Sequence, residues 1–143
     1  MKKLIVFVLA FVGLFLRQES TNAQCNNDAV ISACQSKLAD GFTFLKSYSL
    51  DKSKTIDGKT EFPYVFSKET QYNVESCGVE GEIEIAILDS KRKELFNSTD
   101  KKSKKTSSKL SFKCSATDVY YIIFTLKSTK ESACGAGVLS FKR

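Results

Sequence analysis

In Glu82-Ile83-Glu84-Ile85-Ala86-Ile87 an isoleucine returns at every second position. Successive side chains of an extended backbone point to opposite sides. The stretch therefore predicts a strand with Ile83, Ile85 and Ile87 turned inward and Glu82 and Glu84 turned to water. The same period recurs along the chain, in Phe42 and Phe44, in Phe62, Tyr64 and Phe66, in Tyr72 and Val74, and in Leu110, Phe112 and Cys114. The run DVYYIIFTLK (118–127) is longer and nearly all apolar, as a central strand is, and AGVLSFK (136–142) closes the chain. Pro63 lacks a backbone N–H and marks an edge or a strand start. Turn signals lie between these runs, at Asp57-Gly58, Glu80-Gly81, Asp89-Ser90 and Thr117-Asp118. Seven or eight short strands with frequent turns specify a mainly β chain, an antiparallel β-sandwich.

One segment ahead of the strands has a different period. In NNDAVISACQSKLADG (26–41), Val30, Cys34 and Leu38 recur every four residues and share one helical face. Asn26 or Asn27 suits the N-cap, Asp28 the first turn and Gly41 the stop, which predicts a short helix over about 28–39. Upstream, Lys2 and Lys3 precede an apolar run from Leu4 to Leu16, and Thr21 and Ala23 supply small residues before Gln24. This is the three-part pattern of a secretory signal peptide, with cleavage expected between Ala23 and Gln24. A spanning helix needs about 20 apolar residues, so no stable membrane span is expected after cleavage. Gln24 also stands where a lipoprotein site wants a small residue ahead of Cys25. The expected organisation is a signal peptide at 1–23, a helical segment at 24–41 and a β-sandwich domain at 42–143. The expected location is secreted or periplasmic, within or beyond the cell envelope.

Export permits disulfides, and the five cysteines, Cys25, Cys34, Cys77, Cys114 and Cys134, all follow the cleavage site. No spacing is C-x-x-C, so neither a thioredoxin-like redox site nor a zinc ribbon is indicated. Spacing alone does not fix the connectivity. The expectation is one bridge among Cys77, Cys114 and Cys134, which lie at strand ends, with Cys25 and Cys34 free to close the start of the helix. An odd cysteine is left over. It is either buried and inert or, in a covalent assembly, joined to another chain.

The sequence contains no histidine, which removes Ser-His and Cys-His nucleophile pairs and imidazole metal ligands. Carboxylate chemistry remains. Glu82 and Glu84, on one strand face, stand about 7 Å apart, within the range of an inverting glycosidase pair. Such a pair must flank a substrate with one pKa raised, and neighbours on an open strand face do neither. No cofactor and no metal are expected. Losing Lys2, Lys3, Arg17 and Glu19 with the signal peptide lowers the formal charge from +6 to +4, short of a nucleic-acid footprint. The run TDKKSKKTSSK (99–109) carries Lys101, Lys102, Lys104 and Lys105 without a hydrophobic period. It reads as a mobile hairpin loop, and its functional version is a contact for anionic glycans or lipid headgroups. Asn97-Ser98-Thr99 matches a glycosylation sequon. The tyrosines, Tyr48, Tyr64, Tyr72, Tyr120 and Tyr121, mostly share apolar phases, which favours core positions over a sugar platform. Tyr120 and Tyr121 must face opposite ways.

Four stretches together, EFPYVFSKETQYNVES, EIEIAILDSKRKELFNST, KLSFKCSATDVYYIIFTL and GAGVLSFK, resemble the bacterial pre-peptidase C-terminal type of jelly-roll module over residues 60–142. In that family one strand closes on an aspartate, here Asp89, and a later one starts at a corner, here Ala116-Thr117-Asp118-Val119-Tyr120-Tyr121. The chain departs from the pattern at Asp118 and at the turn from Ser67 to Thr70, both places that usually carry glycine. At Asp118 a left-handed aspartate would keep the corner. The resemblance implies a jelly-roll-like sandwich and an accessory role in export, folding or surface binding. The sequence thus points to a non-enzymatic binding or interaction module with a protein or glycan partner. The alternatives are a structural component of a cell-surface or envelope assembly and, behind it, a carboxylate-based glycan hydrolase.

Overall fold

A computed structural model describes residue 25 and residues 27–78 and 81–143; the expected signal peptide, its cleavage site and Asn26 lie outside the described residues. Helix α1 (Asn27–Gln35) leads into eight strands: β1 (Thr43–Asp51), β2 (Lys59–Phe66), β3 (Gln71–Gly78), β4 (Glu82–Leu88), β5 (Glu94–Asn97), β6 (Lys109–Lys113), β7 (Asp118–Lys127) and β8 (Cys134–Lys142). They form two four-stranded antiparallel sheets, ordered β1-β8-β3-β6 and β2-β7-β4-β5. This is the antiparallel sandwich that the period of two predicts. As that period requires, Ile83, Ile85 and Ile87 are buried opposite Leu126, Phe124 and Ile122 of β7. The apolar run of β7 does lie centrally, between β2 and β4, and β2, which carries Pro63, is an edge.

Two aromatic clusters fill the space between the sheets. Phe66 meets Tyr72, Phe112 and Tyr120, with ring centroids 4.5–5.4 Å apart, and Tyr48 meets Phe62 and Phe124 at 4.5 and 5.7 Å. Tyr48, Tyr72 and Tyr120 are thus core residues, with Tyr64 packed beside them. Tyr121 alone faces out, with the Arg92 guanidinium 3.7 Å above its ring.

Helix α1 is shorter than the predicted 28–39. After the bond from Ser36 N to Ser32 O, the spacing tightens to three residues at Lys37 and Leu38, which winds the helix out. Gly41, with φ +79°, serves the following turn, where Phe42 N bonds Ala39 O, and does not stop the helix. The helix packs outside the first sheet, across β8, β3 and β1. Ala136, Val138 and Ser140 of β8 are fully buried although they face away from the other sheet.

Neither expected cysteine pairing forms. Cys25 bridges Cys134 across 109 residues and Cys34 bridges Cys77 across 43, with Cα separations of 5.7 and 5.6 Å. Cys114 is left as a free thiol, 3 % exposed. The reason is strand phase. Cys114 follows Leu110 and Phe112 into the core, while Cys77 is out of phase with Tyr72 and Val74 and meets the helix on the outer face. An exposed odd thiol for a covalent assembly is therefore not present among the described residues.

The corners also differ from expectation. Asp118 is extended and opens β7, so the corner needs no left-handed residue there. It is held by Tyr120 Oη donating to Ala116 O at 2.8 Å and by Lys68 N donating to Thr117 Oγ1 at 2.9 Å. Burial, with the Cys114 thiol beside it, pushes the Tyr120 hydroxyl up to about 12. At the turn from Ser67 to Thr70 the left-handed position is taken by Glu69, φ 64°.

Candidate functional site

Chemistry-bearing side chains gather at one end of the sandwich, where β1 runs into β2, β4 begins and β7 gives way to β8. Glu82 and Glu84 point outward from β4, as the alternation requires, and both meet Lys127 Nζ from β7, at 3.6 and 2.5 Å. Asn97 Nδ2 then links Glu84, at 3.1 Å, to Glu94, at 3.0 Å, and Lys101 Nζ lies 3.7 Å from Glu94. The two carboxylates are thus members of a polar chain across β7, β4 and β5, not a pair around an empty cleft.

The acidity of Glu84 agrees. Its carboxyl is held below the ordinary range, first by the Lys127 hydrogen bond, with burial opposing and Asn97 reinforcing. A general acid needs the opposite shift. Because the folded value lies below the unfolded one, the interaction stabilises the fold above the ordinary carboxylate range. That contribution is lost as pH falls through the folded value. Glu84→Gln should therefore flatten the decline in urea midpoint between about pH 6 and about pH 3, with the two proteins converging at the acid end. A variant whose midpoint falls in parallel with the parent would show that Glu84 takes no part in this dependence.

The lysine run is a shaped crossover. β5 and β6 belong to different sheets, so it is not a hairpin of one sheet, because the chain must pass from one layer to the other between them. Thr99 and Thr106 form a local bridge, and Asp100 accepts bonds from Lys102 N and Ser103 N at 2.9 and 2.6 Å. Lys101 is paired with Glu94, whereas Lys102, Lys104 and Lys105 are exposed, and no carboxylate pairs with them among the described residues. The sequon residue Asn97 spends its amide nitrogen on Glu84 and Glu94 and its Oδ1 on Thr99 N. No group of three or more His, Cys, Asp or Glu side chains able to hold a metal occurs among the described residues. Nor, among them, is any helix long and apolar enough to cross a membrane.

Ile56 is the residue that sequence reasoning passes over. It precedes the Asp57-Gly58 turn at the same end of the sandwich and is 85 % exposed. The available signal was an isolated apolar residue in KSKTIDGKT, out of step with any strand and set against a turn dipeptide. A second apolar surface, Pro63, Val65 and Val119, lies on the outer face of the β2-β7 pair toward the other end.

No family model and no curated protein matches the chain. Among solved structures it is similar to PliG of Aeromonas hydrophila, a periplasmic lysozyme inhibitor of g-type lysozyme. The TM-score is 0.50 and the identity 9 %, and the match covers 74 % of this chain and 92 % of that one. At this identity the likeness is one of fold.

Proposed function

We propose that the chain is a secreted or periplasmic, non-enzymatic module that works by binding another extracytoplasmic protein. A wall-cleaving enzyme of the lysozyme kind is the first partner to test. The observation that carries this reading is the fold held in common with PliG, across nearly the whole of that inhibitor. Two features support it. Two long-range disulfides make a stiff frame suited to an oxidising compartment. The carboxylates nearest to a catalytic arrangement are both tied to Lys127, and that of Glu84 is held below its ordinary range. The accessory role implied by the resemblance to pre-peptidase modules fits the same reading, since it too is a role of binding.

The test mixes the oxidised chain with purified g-type and c-type lysozymes and follows wall lysis by turbidity and complex formation by calorimetry. The expected result is slowed lysis at stoichiometric amounts and a Kd of about 1 µM or below with at least one of them. Undiminished lysis with no detectable complex for either enzyme would overturn the lysozyme assignment.

A further inference from the structure

We infer that the Ile56–Lys59 turn is the contact element of this module, a rigid apolar anchor that seats in a concave, apolar-floored site on the partner protein. The inference deepens the binding reading above and rests on it. A β-branched side chain left 85 % in water is the largest apolar exposure among the described residues, ahead of Val65 at 58 %. Its burial on docking would raise affinity about 10- to 100-fold.

The backbone beneath it is fixed before any partner arrives. Asp57 and Gly58 have φ 55° and 72°, the positive pair that a two-residue turn of the hairpin kind requires. Lys59 N closes the turn onto Ile56 O at 3.1 Å, and Leu126 N of β7 holds Gly58 O at 2.9 Å. Gly58 is buried, and a Cβ there would collide with the Leu126 carbonyl oxygen. The approach to the turn is equally tied down. Asp51 caps the short 3-10 turn Lys52–Lys54 through Ser53, Thr55 N and Oγ1 both donate to Lys52 O, and Lys52 N donates to Ala133 O. An anchor presented in one conformation loses little entropy on binding, which is what separates a strong contact residue from a merely exposed one.

Charge favours a protein site over an anionic bilayer. The cations around the turn are engaged locally, Lys54 with Asp51 at 3.1 Å, Lys52 with Glu131 at 2.9 Å and Lys127 with Glu82 and Glu84. Exposed Asp57 and Lys59 flank Ile56 with opposite signs. A lipid-binding tip would carry a surplus of unpaired cations. An apolar residue inside a balanced polar ring matches the core-and-rim pattern of protein interfaces.

The experiment places the photo-crosslinker p-benzoylphenylalanine at Ile56, at Val65 or at Lys91 in the full chain, made in the cells that naturally produce it. Purified pairs are then tested with Ile56→Asp and Val65→Asp. The expected result is a crosslink from position 56 to one defined protein, with affinity for it reduced about 30-fold or more by Ile56→Asp. The melting temperature should be unchanged, and Val65→Asp should bind almost as the parent does. A crosslink from 65 but not 56, or unchanged affinity in Ile56→Asp, overturns the turn as the contact while leaving the binding reading in place. Lipid adducts at 56 assign it to a membrane and overturn it as well. Absence of adducts at all three positions overturns the binding reading itself.

Discussion

Cys34→Ser/Cys77→Ser should unfold at a markedly lower denaturant concentration, with a loss of about 4 kcal/mol. That is the entropy released to the unfolded chain when a 43-residue loop is no longer closed. The location adds to the effect. Cys34 is the fully buried residue of α1, and Cys77 lies at the end of β3, so this bridge presses the helix onto the outer face of the first sheet. Ala136 of β8, in register with Cys77 and buried on that outer face, lies at the row where the bridge holds the helix. In hydrogen exchange the α1 amides should lose protection first, ahead of β7. Removing the Cys25–Cys134 bridge alone should cost a little less than its 109-residue span implies, because the Cys34–Cys77 bridge nested within that loop already shortens its free length. A loss of less than about 1 kcal/mol would mean the helix docks by packing alone.

The cysteine pairing shows where the sequence stops being legible. Strand identity and facing are local, since a period of two can be read from six residues. Ile83, Ile85 and Ile87 accordingly lie inward and Glu82 and Glu84 outward, as expected. Pairing depends on which strands become neighbours and which face the helix covers, and no local pattern encodes either. The phase was nevertheless informative. Cys114 stands in step with Leu110 and Phe112, which places it with the core. Cys77 stands out of step with Tyr72 and Val74, which places it on the surface the helix occupies.

The candidate site divides along the same line. That the two glutamates form the solvated side of a strand was readable, whereas their tie to Lys127 depends on the register Glu82↔Lys127 and Glu84↔Thr125, which only the folded sheet sets. The lysine run looked like a hairpin because its composition is that of a turn; composition does not say that the chain changes sheets there. Ile56 was missed because exposure is a tertiary property. Its flanking Asp57-Gly58 pair gave the turn correctly, but not the corner that lifts the isoleucine away from the core.

Gly137→Ala should be strongly destabilising, with a loss of about 3 kcal/mol, the upper end of core overpacking. Gly137 lies in the middle of β8, between Tyr48 of β1 and Ser76 of β3, and it faces the opposite sheet. A Cβ there would stand 2.6 and 2.9 Å from two edge atoms of the Phe124 ring and closer still to its tip. Phe124 is 1 % exposed and boxed by Tyr48 and Phe62, so the ring cannot swing aside without moving both. Gly135→Ala is the informative comparison. Its added methyl would stand 2.6 Å from the terminal carbon of Ile83, a flexible end that can turn away, and 3.2 Å from the Cys77 carbonyl oxygen, a few tenths tighter than ordinary contact, so its cost should be nearer 1 kcal/mol. If the ring is the cause, Gly137→Ala/Phe124→Leu should regain part of the stability lost by Gly137→Ala, although Phe124→Leu alone is destabilising. That sign reversal is the signature of two residues competing for one space. Strictly additive losses in the double variant would place the damage in the backbone of β8 and remove Phe124 from the explanation.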